Sequence, residues 1–574
     1  MAQTSREVNP TTIEPHPSIV RRQTVQFKNE NGPAHFTTDE ISDIPTSPIV
    51  PIQTRSGTIE TNASKASSKV EEQWRKQTVL SFDGGGIRGY SSLLILKEIM
   101  KLVEEIEKKE DPRATSSFYP NDYVPPHDKR KLSDSDNGKK SSESCRYLPC
   151  HYFDYIGGTS TGGLIAIMLG RLRMGIDECL EEYETFGGEI FGHPRWFSLR
   201  GPLPSFKEKY NGKRLQRAVE HVVESRSSPE QKAVGAGYFG SARELCKTIV
   251  VAYRWKVKSS TPRYGNEVLD GIAVPNTPRA APSEPGPYLF RSYDHWGTSD
   301  NDGGRSILER NPGAADNIPI WQVARATTAA PTYFDPIPIQ NNTFGDGGLG
   351  SNNPVQEIYW EVAAMHGNDD SVVNLLVSIG TGEADHVNLH SSGLKKIISY
   401  FNATKALATE SEEKHRNMRR LLANSKNSES VHYQRFNLPL EKGLKNMKLD
   451  EWKEGGRLRL TRRGIARRQE STLEEIARLT KEYCEMDQVK VEIRAVARKL
   501  VNHRRDRCID QRKWELWATG IRYRCIVKSC DKSQKLRPSK DHLKYHIETI
   551  HPEYLLENAP GLLEEAIRKG TCPY

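Results

Sequence analysis

Gly158-Thr159-Ser160-Thr161-Gly162 sets a serine between two glycines. The apolar run Tyr152–Ile156 precedes it and Leu164–Leu169 follows it. Strand, tight glycine turn and helix make the context in which a serine hydroxyl is presented as a nucleophile. A sharp turn needs small flanking residues, here Gly158 and Gly162. The hydroxyl would stand at a helix N-terminus, where partial positive charge favours an anion. Taken alone, the pentapeptide is equally compatible with plain turn chemistry. Two further glycine stretches add to it. In Asp83-Gly84-Gly85-Gly86-Ile87-Arg88-Gly89, three successive glycines let backbone N–H groups turn inward at close range. Such a loop could cradle a phosphate or form an oxyanion hole. No Gly-Lys-Ser/Thr follows it, and it lacks the dinucleotide spacing. In Gly345-Asp346-Gly347-Gly348-Leu349-Gly350 an aspartate is held between glycines on a short loop.

The elements that must position these loops are legible. Val79–Phe82 reads as a buried strand running into the first glycine loop. Leu94, Ile95, Ile99, Val103 and Ile106 then recur at helical spacing. The three stretches, in this order, strongly resemble the patatin-like phospholipases. Ala324–Phe334 resembles that family's segment upstream of the aspartate, and Ser378–Gly382 resembles the strand and turn that follow it. The resemblance covers residues 76–400. It implies an α/β, three-layer fold with a central, mostly parallel sheet. The glycine loop and elbow would meet near the carboxyl ends of its strands.

Carried over, the resemblance makes Ser160 the nucleophile and Asp346 its base, a dyad without histidine. The N–H groups of Gly84, Gly85 and Gly86 would form the oxyanion hole. Arg88 would fix that loop and face a head-group phosphate. The reaction would be acyl transfer from a phospholipid or other acyl ester to water, with no cofactor. Acyl transfer to another lipid, triacylglycerol hydrolysis, and an idle scaffold are the alternatives. A carboxylate is a weak base unless burial raises its pKa above the usual value of about 3.9. Asp83 is expected to brace the glycine loop, and Asp154 to be structural. His151 and His193 are the histidines that could complete an ordinary triad, and neither has a distinctive setting.

The chain has 574 residues, more than one domain's worth, and only 36% are apolar. No stretch approaches the roughly 18 apolar residues of a membrane span. The N-terminus has no apolar signal region, and the nine cysteines are mostly scattered. A cytoplasmic protein visiting membrane surfaces is expected, with a nuclear location kept open. Residues 1–75 read as a disordered tail, with Arg21–Thr24 a basic-directed phosphorylation candidate. Residues 110–146 read as a polar insertion containing the basic patch Lys129–Lys131. Residues 258–312 carry prolines and glycines interrupted by the short apolar run Tyr288–Phe290, and long loops near an active site can act as lids.

Residues 451–574 hold 28 Lys+Arg against 19 Asp+Glu, an excess equal to the whole chain's +9. Arg457, Arg459, Arg462, Arg463, Arg467 and Arg468 crowd one segment, which would attract anionic lipid or nucleic acid. A basic helical region is expected over 401–520, with 472–501 a helix or helical pair. Cys525-x4-Cys530-x15-His546-x4-His551 has the ligand types of a tetrahedral zinc site. Its Cys-to-His gap exceeds the usual dozen. A zinc-finger-like module over 521–552, with a structural zinc, and a tail over 553–574 complete the expected organisation. Cys145-x4-Cys150 with His151 lacks a fourth ligand.

Overall fold

The computed structural model describes residues 71–121, 146–192, 209–226, 237–257, 285–295, 310–331, 333–383, 395–425, 431–439, 444, 447–456, 458–460, 466–556 and 561–572. Among these, side chains are described except at 256–257, 395–409, 458–460, 466–468 and 556. The N-terminal tail with Arg21–Thr24, the Lys129–Lys131 patch, Cys145, His193 and most of the 258–312 loop lie outside the described residues. So do the side chains of the basic cluster from Arg457 to Arg468. Ala63–Tyr574 forms a single compact unit.

Strand β1 (Gln77–Phe82) is buried along its whole length and runs into the first glycine loop. Helix α1 (Gly89–Glu110) follows. Its buried Leu93, Leu96, Met100, Val103 and Ile106 make one stripe, and Lys108 and Lys109 complement the dipole at its last turn. Strand β2 (Tyr155–Thr159) starts later than the apolar run at 152, whose first three residues form a turn and bend after the 3-10 turn Pro149–His151. Helix α2 (Thr161–Ala166) continues into a π-turn at Ile167–Arg171. Next come α3 (Ile176–Phe191), α4 (Gly212–Arg226), β3 (Lys247–Val257), β4 (Gly286–Arg291) and α5 (Ile320–Thr327). They lead to β5 (Ile337–Ile339), β6 (Asn342–Asp346), α6 (Val355–Met365), β7 (Val373–Ile379), α7 (Lys395–Asn424) and β8 (His432–Phe436).

The eight strands form one sheet, ordered β5-β6-β3-β2-β1-β7-β8, with β4 also paired to β3. β3, β2, β1, β7 and β8 run parallel; β4 and β6 are antiparallel to β3, and β5 to β6. Alternate strand residues feed two cores. Leu80, Phe82, Ile156, Val250 and Val377 belong to one, and Val79, Tyr155, Ile249, Val251 and Leu376 to the other. Helices cover both faces, the α/β arrangement expected of a mostly parallel sheet.

Among the described residues, the sheet continues past residue 400. β8 pairs with β7, with Val377 opposite Gln434. Helices α8 (Thr472–Cys484) and α9 (Asp487–Cys508) form the helical pair expected from the 472–501 pattern, and both pack on α1. Ser471 and Glu474 close a capping box at the start of α8. Arg504 and Arg505 of α9 hold Glu107 of α1, and Arg507 reaches Asp154 before β2. Ile476 and Leu479 of α8 and Ile493 and Val496 of α9 thereby share one apolar core with α1 and the sheet. Helix α10 (Gln511–Thr519) begins at an Asp510 cap and ends at Gly520, whose φ of 68° only glycine adopts freely. Helices α11 (Lys540–Ile550) and α12 (Leu562–Gly570) build the C-terminal module, closed by a two-stranded pairing of Arg522–Tyr523 with Thr571–Cys572. That pairing joins the expected module and the expected tail into one piece.

Candidate active site

β3 brings the serine and the aspartate together. Its neighbours Val251 and Ala252 are the partners of Thr159 and Asp346 respectively. The end of β2 and the end of β6 are thereby placed side by side. Ser160 Oγ donates to Asp346 Oδ2 at 2.7 Å. Ser160 itself has φ 54° and ψ −124°, a conformation a non-glycine residue adopts only when its surroundings impose it.

Three constraints impose it. A methyl at Gly158 would stand 2.2 Å from the Gly162 carbonyl oxygen, and one at Gly162 would stand 2.5 Å from that of Asp83. Both elbow positions must be glycine. The Ser160 N–H donates to Thr327 Oγ1 at 2.7 Å, and Thr327 Oγ1 donates in turn to the Val251 carbonyl at 2.6 Å. Thr327 is fully buried, and its carbonyl accepts from Gly347 N–H beside the aspartate. One threonine at the end of α5 thus fixes the backbone at Ser160 and beside Asp346.

Asp346 is 5% exposed. Its Oδ1 accepts from Gly348 N–H at 2.8 Å, which leaves Oδ2 for the serine. Burial raises its carboxyl to about 6, against the opposing pull of those two hydrogen bonds. A carboxyl raised this far can exchange a proton closer to neutrality than an ordinary aspartate.

The glycine loop differs in detail from the expectation. Gly84 N–H donates to the Asn352 carbonyl at 3.0 Å, so it is already committed. Gly85 N–H has a long contact of 3.3 Å to Thr161 Oγ1, and Gly86 N–H has no partner among the described residues. Gly85 and Gly86, rather than all three glycines, are the available donors. Gly86 has φ 57°, and its Cα faces the Leu449 carbonyl so closely that a methyl would stand 2.0 Å from it. Ile87 N–H donates to that same carbonyl at 2.8 Å.

Asp83 accepts both guanidinium nitrogens of Arg435, at 3.0 and 2.7 Å, and Arg435 also reaches Glu412. Asp83 braces the start of the loop through a residue of β8. Arg88 lies in the 3-10 turn Gly86–Arg88, where its N–H closes onto Gly85. Its side chain is buried in the cleft lining, Nε has no partner among the described residues, and burial lowers its pKa to about 10.

Ser160 and Asp346 line a cleft enclosing about 1280 Å³ of atom-free space, part of it open to solvent. Leu164, Phe186, Ile190, Leu215, Tyr333 and Phe334 make its apolar walls. Leu449 and Asp450 complete the lining from beyond residue 400. Asp450 accepts from Tyr210 OH at 2.8 Å and pairs with Lys209.

His151 is not in this cleft. Its Nδ1 meets Ser117 Oγ at 2.7 Å and its Nε2 meets the Ala518 carbonyl at 3.0 Å. Burial holds it well below the usual histidine range, so it is neutral. Asp154 accepts from Thr78 N–H and Arg507, as a structural aspartate should.

Residues 80–359 match the family described as patatin-like phospholipases. These residues are a patatin-like phospholipase domain. Phospholipase A I of Arabidopsis thaliana is 25% identical over 335 residues, 53% of this chain and 20% of that protein. The human calcium-independent phospholipase A2-gamma is 25% identical over 343 residues, covering 59% and 32% of the two chains. The 85/88 kDa calcium-independent phospholipase A2 of Rattus norvegicus is 37% identical over 254 residues, covering 41% and 24%. The chain thus spans a fifth to a third of these relatives. The patatin-like domain contains Ser160, Asp346, Thr327 and the glycine loop. Arg435, Leu449 and Asp450 of the same site lie outside it.

Far along the sequence, Cys525, Cys530, His546 and His551 come together, all buried, with one donor atom from each within 4.8 Å of the others. His546 lies on α11 and His551 just past its end, where the chain leaves helical geometry. This is a donor set that fits a tetrahedral metal ion. Thr327, Asn352 and Arg435 were not singled out by their chemistry in the sequence. Thr327 lies within the Ala324–Phe334 block, whereas Arg435 has no local signal at all.

Proposed function

We propose that this chain is a lipid acyl hydrolase of the phospholipase A or lysophospholipase type. The observation that carries the reading is the 2.7 Å hydrogen bond from Ser160 to a buried Asp346, at the floor of an apolar-walled cleft. The patatin-like phospholipase domain and its phospholipase relatives support the same substrate class.

As Asp346 Oδ2 takes the hydroxyl proton, Ser160 Oγ attacks the ester carbonyl carbon. Negative charge develops on the carbonyl oxygen, where Gly85 and Gly86 N–H groups and the start of α2 stabilise it. The intermediate collapses to an acyl-serine, and the departing alkoxide takes the proton back from Asp346. A water then gives its proton to Asp346 and attacks the acyl-serine, releasing a fatty acid and regenerating Ser160. The acyl chain lies along the Phe186, Ile190 and Phe334 side of the cleft. Arg88 lends positive charge to a head-group phosphate.

No described helix is long and apolar enough to cross a membrane. The substrate would be met at a bilayer or micelle surface, with the protein bound peripherally. Fatty-acid release from mixed phospholipid–detergent micelles, with calcium removed by EGTA, tests the reading. Ser160→Ala and Asp346→Asn are each expected to lower release by about a thousandfold or more. Release that survives both substitutions would overturn the dyad.

A further inference from the structure

We propose that Cys525, Cys530, His546 and His551 bind one Zn²⁺ ion, and that this ion staples the C-terminal module into a brace on the nucleophile elbow.

The site is built rather than incidental. None of the four residues is more than 8% exposed, although burying four polar groups is costly unless they are satisfied. Cys530 Sγ and His546 Nε2 are 3.3 Å apart, and both cysteines are free thiols. His551 Nε2 is buried with no hydrogen-bond partner among the described residues, while Nδ1 on its other side faces Glu553 at 3.6 Å. An imidazole with one nitrogen orphaned in a thiol cluster and the other turned to a carboxylate has the outer-shell arrangement of a metal ligand. Two thiolates and two imidazoles are the number and softness that zinc takes.

The module also needs a staple. Its core is a separate cluster of eight buried residues, among them Ile521, Tyr523, Leu543, Ile547 and Ala566. The two cysteines belong to that cluster as well. A unit of this size buries too little apolar surface to be stable alone.

What the module holds is α10. Tyr523 OH donates to Glu515 of α10 at 2.7 Å, and Arg522 pairs with Glu244, three residues before β3. Helix α10 in turn grips both ends of the elbow unit. Trp514 and Trp517 pack against the His151 ring, each with centroids 6.0 Å away. The Ala518 carbonyl accepts from His151 Nε2, which precedes β2, and from Arg173, which follows the π-turn. Between His151 and Arg173 lie β2, Ser160 and α2. The ion is remote from the dyad and takes no part in acyl transfer. Its role is to keep the platform of the strained serine rigid.

The test uses the full-length protein and reads no catalysis, so its outcome is independent of the hydrolase reading. Metal content is measured by mass spectrometry for the wild type, Cys530→Ser, His551→Gln and the control Cys572→Ser, a module cysteine outside the set. Hydrogen exchange of the wild type is followed before and after zinc is stripped with a high-affinity chelator. About one zinc per chain is expected in the wild type and in the control, lost in the other two variants. Stripping should raise exchange throughout 521–572 and about tenfold over 150–173, with 373–379 in β7 unaffected. A wild type purified without zinc, or variants that keep it, would overturn the site. Unchanged exchange over 150–173 after stripping would overturn the brace. If the variants fail to fold, the wild-type stripping experiment still decides both parts.

Discussion

Asp346 sets the pH behaviour expected of the site. Burial raises its carboxyl to about 6, and the proposed base must be ionised to take the serine proton. The value of kcat/KM on an uncharged ester should therefore rise with pH up to about 6 and level off above it. A profile measured from about pH 4.5 to 8 that stays flat would contradict this. The same burial has a stability consequence of opposite sign. The folded pKa lies above the unfolded one, so the protonated carboxyl is favoured in the fold, and stability falls as pH rises from about 4 toward 6. Asp346→Asn should therefore stabilise the protein at neutral pH, on the order of 1–2 kcal/mol in denaturant unfolding, while abolishing activity. Thr327 has a different role. Thr327→Val removes the acceptor for Ser160 N–H and the donor to Val251. We expect kcat to drop about ten- to a hundredfold with KM nearly unchanged, and Thr327→Ser to restore it. A change confined to KM would mean that Thr327 acts on binding instead. Ser160 and Asp346 were legible in the sequence because glycines announce the turns that hold them. Thr327 was legible only as part of a resembling block, since a buried threonine has no signature of its own. That Gly84 N–H is committed to Asn352 was not legible, because it depends on a partner 268 residues away.

At the scale of elements, the glycine positions and the buried ion pairs carry different costs. Gly158→Ala should prevent the elbow from forming, because its methyl would meet backbone rather than a movable side chain. Arg435→Met leaves Asp83 and Glu412 without their cation under the glycine loop. The expected loss is about 3–5 kcal/mol of stability, read from denaturant unfolding, with activity falling as the loop loosens. A loss under about 1 kcal/mol would show that the pair is dispensable. β1, β2 and α1 could be read from apolar runs and helical spacing, since each buries a continuous face. β8 could not. His432, Gln434 and Arg435 make it short and polar, and only pairing with β7 reveals it as a strand. The helical pair over 472–508 was legible from its periodicity, but not its docking on α1, which rests on Arg504 and Arg505 meeting Glu107.

For the whole molecule, the sheet, the cleft and the bracing helices extend well past the patatin-like domain at 80–359. Residues 63–400 alone would lack β8, Arg435, the Leu449 wall and both helices that cover α1. That fragment should be insoluble or molten, with no sharp thermal transition, whereas 63–574 should melt cooperatively and retain activity. A soluble, active 63–400 fragment would contradict this architecture. The sequence's composition pointed to a separate basic region because charge excess marks surfaces, and here the excess lies on helices whose other faces are core. Val496, Leu500 and Trp514 are fully buried among those charges.

The proposed hydrolysis requires Ser160 to be acylated. A fluorophosphonate probe, which reacts only with an activated serine, followed by peptide mass spectrometry tests this most directly. The adduct should map to the peptide containing Ser160, vanish in Ser160→Ala and form far more slowly in Asp346→Asn. Labelling of a different serine, or undiminished phospholipid hydrolysis by Ser160→Ala, would show that Ser160 is not the nucleophile.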